Sequence, residues 1–361
     1  MNGGKKLFIG LNYVGDRYMD RALDAMQVKN HSRTGSMRNS LRTLLIAAVI
    51  VSILLALGAV AYAMGHIWSR GMRDRLDATE EQQQTMADKG MAKVFTEDEK
   101  YDSMAVTSNG VTVKPLELVA DENTALVSFA IDGFSLKEGE EPGFENIIVY
   151  MGNDPGSRAL NMSGSFSYEQ ERDGNGNFIG TPQFADESGR LEFVMTLSPS
   201  NHDDTLLGRE IHVRFVNLCA DTEKAAKTPV LNGEWDFDIK LPEKSSVREI
   251  RIGKSVEGTA FTMESAKITP LSIEIAYSVS GRVSMAGDDL AIPMFRGFVL
   301  KDGTRLFNIV NGGSSGYTDD SMTAAFSGSV LDRVIDPDEV AEIIVSRSMD
   351  NSKDIAGIPL S

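Results

Sequence analysis

The residues that could do chemistry in this chain fall in a few short stretches. Each stretch asks for a particular backbone around it. Gly312-Gly313-Ser314-Ser315-Gly316 matches G-x-S-x-G, the spacing that lifts a serine nucleophile on a strained strand-to-helix elbow. A strand-like run precedes it, but Tyr317-Thr318-Asp319-Asp320 follows without helical periodicity, so the match reads as a flexible glycine-rich loop. Asp173-Gly174-Asn175-Gly176-Asn177 starts like a calcium loop. Its sixth position is Phe178 where such a loop turns on Gly, and its twelfth is Phe184 where a bidentate Glu closes the shell. A hairpin turn fits better. His202-Asp203-Asp204 reads as a solvated loop, with a weak surface cation site as the alternative. The four histidines, His31, His66, His202 and His212, stand at no metal-ligand spacing, and His212 sits in a strand pattern as a structural residue. Cys219 is the sole cysteine, which excludes an intramolecular disulfide and a zinc site built on several thiolates. It reads as a small apolar side chain at a strand end. Nucleophile, base and oxyanion donors do not assemble from these parts. The expectation is a protein that is not an enzyme and has no cofactor and no metal.

What positions everything else is the uncharged stretch Thr43–Met64, TLLIAAVIVSILLALGAVAYAM. As a helix it would be about 33 Å long, enough to cross a hydrocarbon layer of about 30 Å. Ala61-Tyr62-Ala63 offers a signal-peptidase-like site, but the run is longer than a usual signal core and 42 residues precede it. A transmembrane helix is the expectation. Residues 1–42 carry eight Lys/Arg against three Asp, and residues 65–361 carry 28 Lys/Arg against 49 Asp/Glu. The near flanks, Lys29, Arg33, Arg38 and Arg42 against Arg70, Arg73 and Arg75, differ less, and they favour a cytosolic N-terminus. The acidic C-terminal part argues against nucleic acid as a partner.

Residues 1–42 are too few for a core but contain one amphipathic helix within VGDRYMDRALDAM. Tyr18, Met19, Ala22, Leu23 and Met26 line one face; Asp16, Arg17, Asp20, Arg21 and Asp24 line the other. So short a helix is marginal alone in water and needs a second surface. That surface is either membrane lipid or the groove of a cytosolic protein. Gln27 to Asn39 is a basic, polar tether near lipid headgroups.

Beyond the apolar stretch, Trp68 falls where interfacial aromatics sit. Residues 65–100 read as a partly helical, protease-accessible stalk, with Met72, Leu76 and Met86 too sparse for a core. From Met104 the pattern has period two. Asn109-Gly110 marks a hairpin and Asp121-Glu122-Asn123 a turn. Strands are expected at Met104–Ser108, Val111–Val119, Thr124–Ile131, Asn146–Met151, Gly189–Leu197, Glu210–Leu218 and Gly233–Leu241. A second set runs at Val247–Ile252, Thr259–Met263, Ser272–Val279, Met294–Leu300, Arg305–Ile309, Met322–Ser327 and Ala341–Ser346. Asp336-Pro337 should open a short helical turn. The chain therefore divides into a cytosolic segment 1–42, a span 43–64, a stalk 65–100 and two β-sandwiches, 101–242 and 246–350. Val111–Gly133 and Phe261–Gly281 share an early Thr, a Pro and an alternating strand ending in Gly, which hints at duplication.

Four stretches together resemble a known group. They are IGLNYVGDRYMDRALDA (9–25), the apolar span, AVTSNGVTVKPLELVADENTALVSFAIDG (105–133) and GEWDFDIKLP (233–242). This order resembles the transmembrane anti-sigma-factor-like proteins of Gram-positive bacteria that carry domain-of-unknown-function family 4179, often with a C-terminal immunoglobulin-like domain. The resemblance implies a mainly β, single-pass cell-membrane protein with two extracellular immunoglobulin-like β-sandwiches after a transmembrane helix and a short cytosolic amphipathic helix. That helix would hold an extracytoplasmic-function sigma factor, with Tyr13, Tyr18, Met19, Ala22, Leu23 and Met26 as the contact residues. The outer part would meet an unknown extracellular ligand or protease. The His-x3-Cys-x2-Cys arrangement of zinc-associated anti-sigma factors is missing, since residues 1–42 contain no Cys. The other reading is a surface-anchored binding or adhesion protein with a passive tail. Residues 138–228 match nothing in the resemblance.

Overall fold

The computed structural model describes residues 68–95, 104–152, 159–174, 177–201, 204–221, 228–280, 292–347 and 355–360. All belong to one compact unit, Met64–Ser361. Tyr13, Tyr18, Met19, Ala22, Leu23, Met26 and the stretch 43–64 lie outside the described residues. Among the described residues no helix is long and apolar enough to cross a membrane.

The unit is mainly β. Two short helices come first, α1 (Arg70–Arg75) and α2 (Glu80–Asp88). Then come β1 (Ala92–Val94), β2 (Val106–Ser108), β3 (Val111–Ala120), β4 (Ala125–Asp132), β5 (Glu141–Met151), β6 (Leu160–Phe166), β7 (Glu169–Arg172), β8 (Phe178–Gln183), β9 (Leu191–Pro199), β10 (Glu210–Asp221) and β11 (Pro229–Lys240). They form a first sandwich, with sheet β1-β3-β4-β9-β6 on sheet β11-β10-β5, and β7 and β8 pair apart from both. A loop through Leu241–Ser246 leads to β12 (Arg248–Ser255), β13 (Phe261–Ile268), β14 (Ser272–Val279), β15 (Met294–Leu300), β16 (Arg305–Phe307), β17 (Val310–Tyr317), β18 (Ala324–Leu331), β19 (Val340–Ser346) and β20 (Ile355–Pro359). Here sheet β12-β13-β14-β18-β17 faces sheet β16-β15-β19-β20. Alternate residues fill each core. In the first, Phe215 meets Phe129 edge-on with centroids 4.9 Å apart, and Phe237 packs tilted on Phe129 at 5.3 Å. Phe261, Tyr277 and Phe298 fill the second.

Both sandwiches have the same eight-strand topology. β1, β3, β4, β9 and β6 occupy the places of β12, β13, β14, β18 and β17, and β11-β10-β5 those of β20-β19-β15. In the β3–β4 and β13–β14 hairpins the register agrees residue by residue. Val113 pairs with Ile131 as Phe261 pairs with Val279, and a bulge follows Pro115 as it follows Met263. The duplication is therefore a property of the fold, but it aligns the hairpins differently from their shared Thr and Pro. Val113, not Val111, corresponds to Phe261, and Pro115 corresponds to Met263 rather than to Pro270.

Several expectations give way. Gly312–Gly316 is no loop; it lies inside β17, paired with β18 through Ser314–Gly328. Pairing overrides the weak strand propensity of Gly and Ser. β1, β6, β7, β8 and β20 also escaped the sequence reading, so the first sandwich begins at Ala92 rather than 101 and the second runs to Pro359 rather than 350. The stalk fails from Trp68 to Phe95, where both helices and β1 pack onto the sandwiches. Other readings match the structure. Asn109 and Gly110 have φ of 49° and 84° between paired Ser108 and Val111, the two positive values of a tight hairpin turn. Asp336 caps the turn Pro337–Glu339 by accepting from Asp338 N at 3.0 Å.

Candidate functional site

None of the sequence motifs forms a reactive constellation. Asp173 accepts from Asn177 N at 2.9 Å and closes the β7–β8 hairpin, as its turn composition favours. His202 and Asp203 lie outside the described residues, as do His31 and His66. His212 stacks on Tyr150 at 4.6 Å and bonds Asp238 at 2.8 Å and Asp236 at 3.1 Å. Cys219 is buried inside β10. Among the described residues no group of three or more His, Cys, Asp or Glu could hold a metal ion.

The site with the most unusual chemistry is the junction where the chain first enters the folded unit. Trp68, Met72 and Leu76 recur every fourth residue, one helical face, and are almost wholly buried with Met86, Met91, Val119, Leu126, Leu271 and Val334. Burying each such side chain is worth about 1.5–3 kcal/mol. Hydrogen bonds set the path. Ser69 caps α1 by accepting from Met72 N at 3.3 Å. Thr79 and Gln82 form a reciprocal capping box at α2, with bonds of 2.9 and 3.2 Å. The connector then straddles both sandwiches. Arg70 reaches Phe184 O at 2.8 Å in the first. Asp77 N reaches Asp332 O at 2.7 Å, and Gln82 Nε2 reaches Val334 O at 3.0 Å, in the second.

Two buried carboxyl groups hold the start of α1. Ser69 N donates to Glu117 Oε1 at 2.9 Å, and Ser69 Oγ donates to Glu192 Oε1. Ser128 Oγ bonds Glu117 Oε2. Glu117 and Glu192 are 5% and 7% exposed. Burial pushes Glu117 up to about 7, against the hydrogen bonds from Ser128 and Ser69 that favour its charged form, while the Glu192 carboxylate beside it adds to the rise. Gly71 lets α1 lie this close, because a Cβ there would sit 2.5 Å from Glu192 Oε1 and 2.8 Å from Val194 Cγ2.

A third buried carboxyl group joins the two sandwiches. Asp121 stands in the β3–β4 turn, where its Oδ1 accepts from Asn123 N at 2.8 Å and Thr124 N at 2.7 Å. Its Oδ2 accepts from Thr269 Oγ1, from Leu271 N at 3.2 Å and from Ser272 Oγ at 3.3 Å in the equivalent β13–β14 turn. Burial pushes Asp121 above the usual carboxylate range, against these same bonds. Lys267 Nζ lies 2.8 Å from Glu122 across the same seam.

No family model matches this chain, and no curated protein matches it. One similar solved structure is described as the conserved domain protein from Bacillus anthracis. The similarity covers 73% of this chain and 94% of that one, at 15% identity and a TM-score of 0.41.

Two open hollows flank the junction. A trough of about 1000 Å³ runs between α1 and the β7–β8 hairpin, past Arg75, Ser165, Tyr168 and Phe178. A cleft of about 490 Å³ between the sandwiches has a mixed polar and apolar lining that includes Asn123, Thr124, Asn161, Ser314, Ile273 and Phe326. Trp68, Glu117, Asp121 and Glu192 were not singled out as site residues from sequence. Their signal was the consecutive apolar residues Leu118–Ala120 of β3 and Ala125–Val127 of β4, where a half-exposed hairpin alternates.

Proposed function

We propose that this chain is a membrane-bound regulator of the anti-sigma type. In this reading Thr43–Met64 spans the cell membrane with the N-terminus in the cytosol and the two β-sandwiches, immunoglobulin-like in kind, outside. The cytosolic helix covers an apolar groove of an extracytoplasmic-function sigma factor with Tyr13, Tyr18, Met19, Ala22, Leu23 and Met26. The observation that carries the reading is the buried connector. Gly65, His66 and Ile67 alone separate the apolar stretch from Trp68, which is buried with residues of both sandwiches. A direct link of this kind lets a change at the sandwich junction bear on the segment leading to the membrane. A passive anchor has no use for it.

The docked connector also changes the release step. Cleavage in an open stalk gives way to rearrangement: Trp68–Leu76 must leave its site before a protease can reach its backbone. The experiment is promoter activity of the cognate sigma factor in cells carrying Met19→Asp with Leu23→Asp. Constitutive activity is expected. Unchanged activity, with residues 1–42 replaceable by any basic tail, would overturn the reading in favour of a surface-binding protein, for which the cleft between the sandwiches is the supporting feature.

A further inference from the structure

We infer that Glu117 and Glu192 form a proton-operated latch on the segment Trp68–Leu76, closed while Glu117 is protonated and loosened as it ionises. The latch is a property of the folded unit and stands apart from the sigma-factor reading.

The geometry carries the inference. Both carboxyl groups bond the same residue, Ser69, one to its N–H and one to its hydroxyl. That hydroxyl is also the cap of α1, so the pair grips the point where the helix begins. A neutral Glu117 keeps its grip on the helix start, because Oε1 still accepts from Ser69 N; only the bond that Ser128 Oγ donates to Oε2 must turn when Oε2 carries the proton. An ionised Glu117 would sit dry against Glu192.

The surrounding charges offer little relief. On β3, Lys114 lies 3.5 Å from Asp132. On β9, Arg190 lies 2.8 Å from the same Asp132. On α1, Arg70 turns to Phe184 O and, at 3.6 Å, to Glu169. Arg75 bonds Ser165, Asp74 bonds Ser167, and Arg73 is exposed. On β1, Lys93 lies 5.0 Å over the Phe95 ring. The charge that bears on Glu117 is that of Glu192, and it raises the cost of ionisation.

The contact is also built to part. Trp68 Nε1 and Gln83 Oε1 are buried without a hydrogen-bond partner among the described residues, and water would satisfy both on release. Undocking wets Glu117 and returns it toward its ordinary value of 4.5, whereas docking holds it near 7. A carboxyl raised on docking costs nothing at pH below the free value. The cost then grows through the window between the two values and levels off above the upper one. Within that window the docking constant falls about tenfold per pH unit.

The test is hydrogen exchange of the amides of residues 69–76 in the full chain in detergent micelles, from pH 5 to 8, with rates scaled for intrinsic base catalysis. Protection should fall roughly 40-fold between pH 5 and 7 and flatten above. In Glu117→Gln, which removes the charge and keeps an Oε1 acceptor for Ser69 N, it should stay flat. Amides of β14 in the second sandwich report folding in each sample. A common pH slope in wild type and Glu117→Gln, or no slope in the wild type, would overturn the latch. If Glu117→Gln fails to fold, Glu192→Gln decides. It should keep the slope but reach its plateau at lower pH; an unmoved plateau would remove Glu192 from the device. Sigma-factor capture is read in neither arm, so the two proposals fail separately.

Discussion

Val119 and Lys267 occupy the same place in the two sandwiches, as do Leu126 and Glu274, Ser128 and Ala276, and Glu192 and Ala324. In the second sandwich this outer sheet face meets solvent, and β13 and β14 alternate apolar with polar or small side chains. In the first, β3 beyond Lys114 and β4 as far as Ile131 are buried on both faces, because Trp68, Met72, Leu76, Met86 and Met91 lie over the outer one. One duplicated scaffold thus carries a cover on one copy only. The carboxyl groups under that cover have no counterparts in the other copy, where Ser265 and Ala324 stand in place of Glu117 and Glu192. Buried carboxyl groups that the fold itself does not require point to a role beyond packing.

Breaking the cover should have the largest effect. Trp68→Ala is expected to cost about 3–5 kcal/mol in urea unfolding of the full chain, while Glu274→Ala on the matching open face should stay within about 0.5 kcal/mol. Glu117→Gln sharpens the contrast. A carboxyl raised from 4.5 to about 7 destabilises the fold progressively as pH climbs between those values and fully above them. The variant should therefore be more stable than wild type by roughly 3 kcal/mol at pH 8 and equal to it at pH 4. Ser265→Glu, the same charge at the open position, should show no such pH dependence in thermal melts.

Asp121→Asn trades an acceptor for a donor facing the β13–β14 turn. It should cost about 1–3 kcal/mol and split one calorimetric transition into two as the sandwiches unfold separately. Gly71→Ala gives the smallest change. Alanine favours a helix by about 1 kcal/mol, yet its Cβ strikes Glu192 and Val194, so a net loss of about 1 kcal/mol is expected. A net gain would mean that α1 is not docked.

Much of this contrast was legible in the sequence. Period-two runs placed fourteen of the strands, and the hairpin at Asn109-Gly110 was read from its dipeptide. The consecutive apolar residues Leu118-Val119-Ala120 and Ala125-Leu126-Val127 already differ from Ile273-Glu274-Ile275-Ala276-Tyr277, so a cover over the first copy was written there. The cover itself was harder to see: its apolar residues are few, and their spacing of four marks a face only once a partner surface is known. Asp121 looked like an ordinary turn residue because three of its partners, Thr269, Leu271 and Ser272, lie about 150 residues downstream. β6 and β17 are rich in Gly and Ser and become strands through pairing with β9 and β18, which no local pattern declares.

The most direct test is thiol labelling of Met72→Cys in the full chain at pH 5.5, beside Ser278→Cys on the open face of the second sandwich. Cys219, the single native thiol, is buried and sets the slow baseline. A docked connector predicts that Met72→Cys reacts near that baseline and Ser278→Cys reacts orders of magnitude faster. Equal, rapid labelling of both would show that the segment after the apolar stretch hangs free, and it would contradict the covered face on which both the linkage to the membrane and the latch depend.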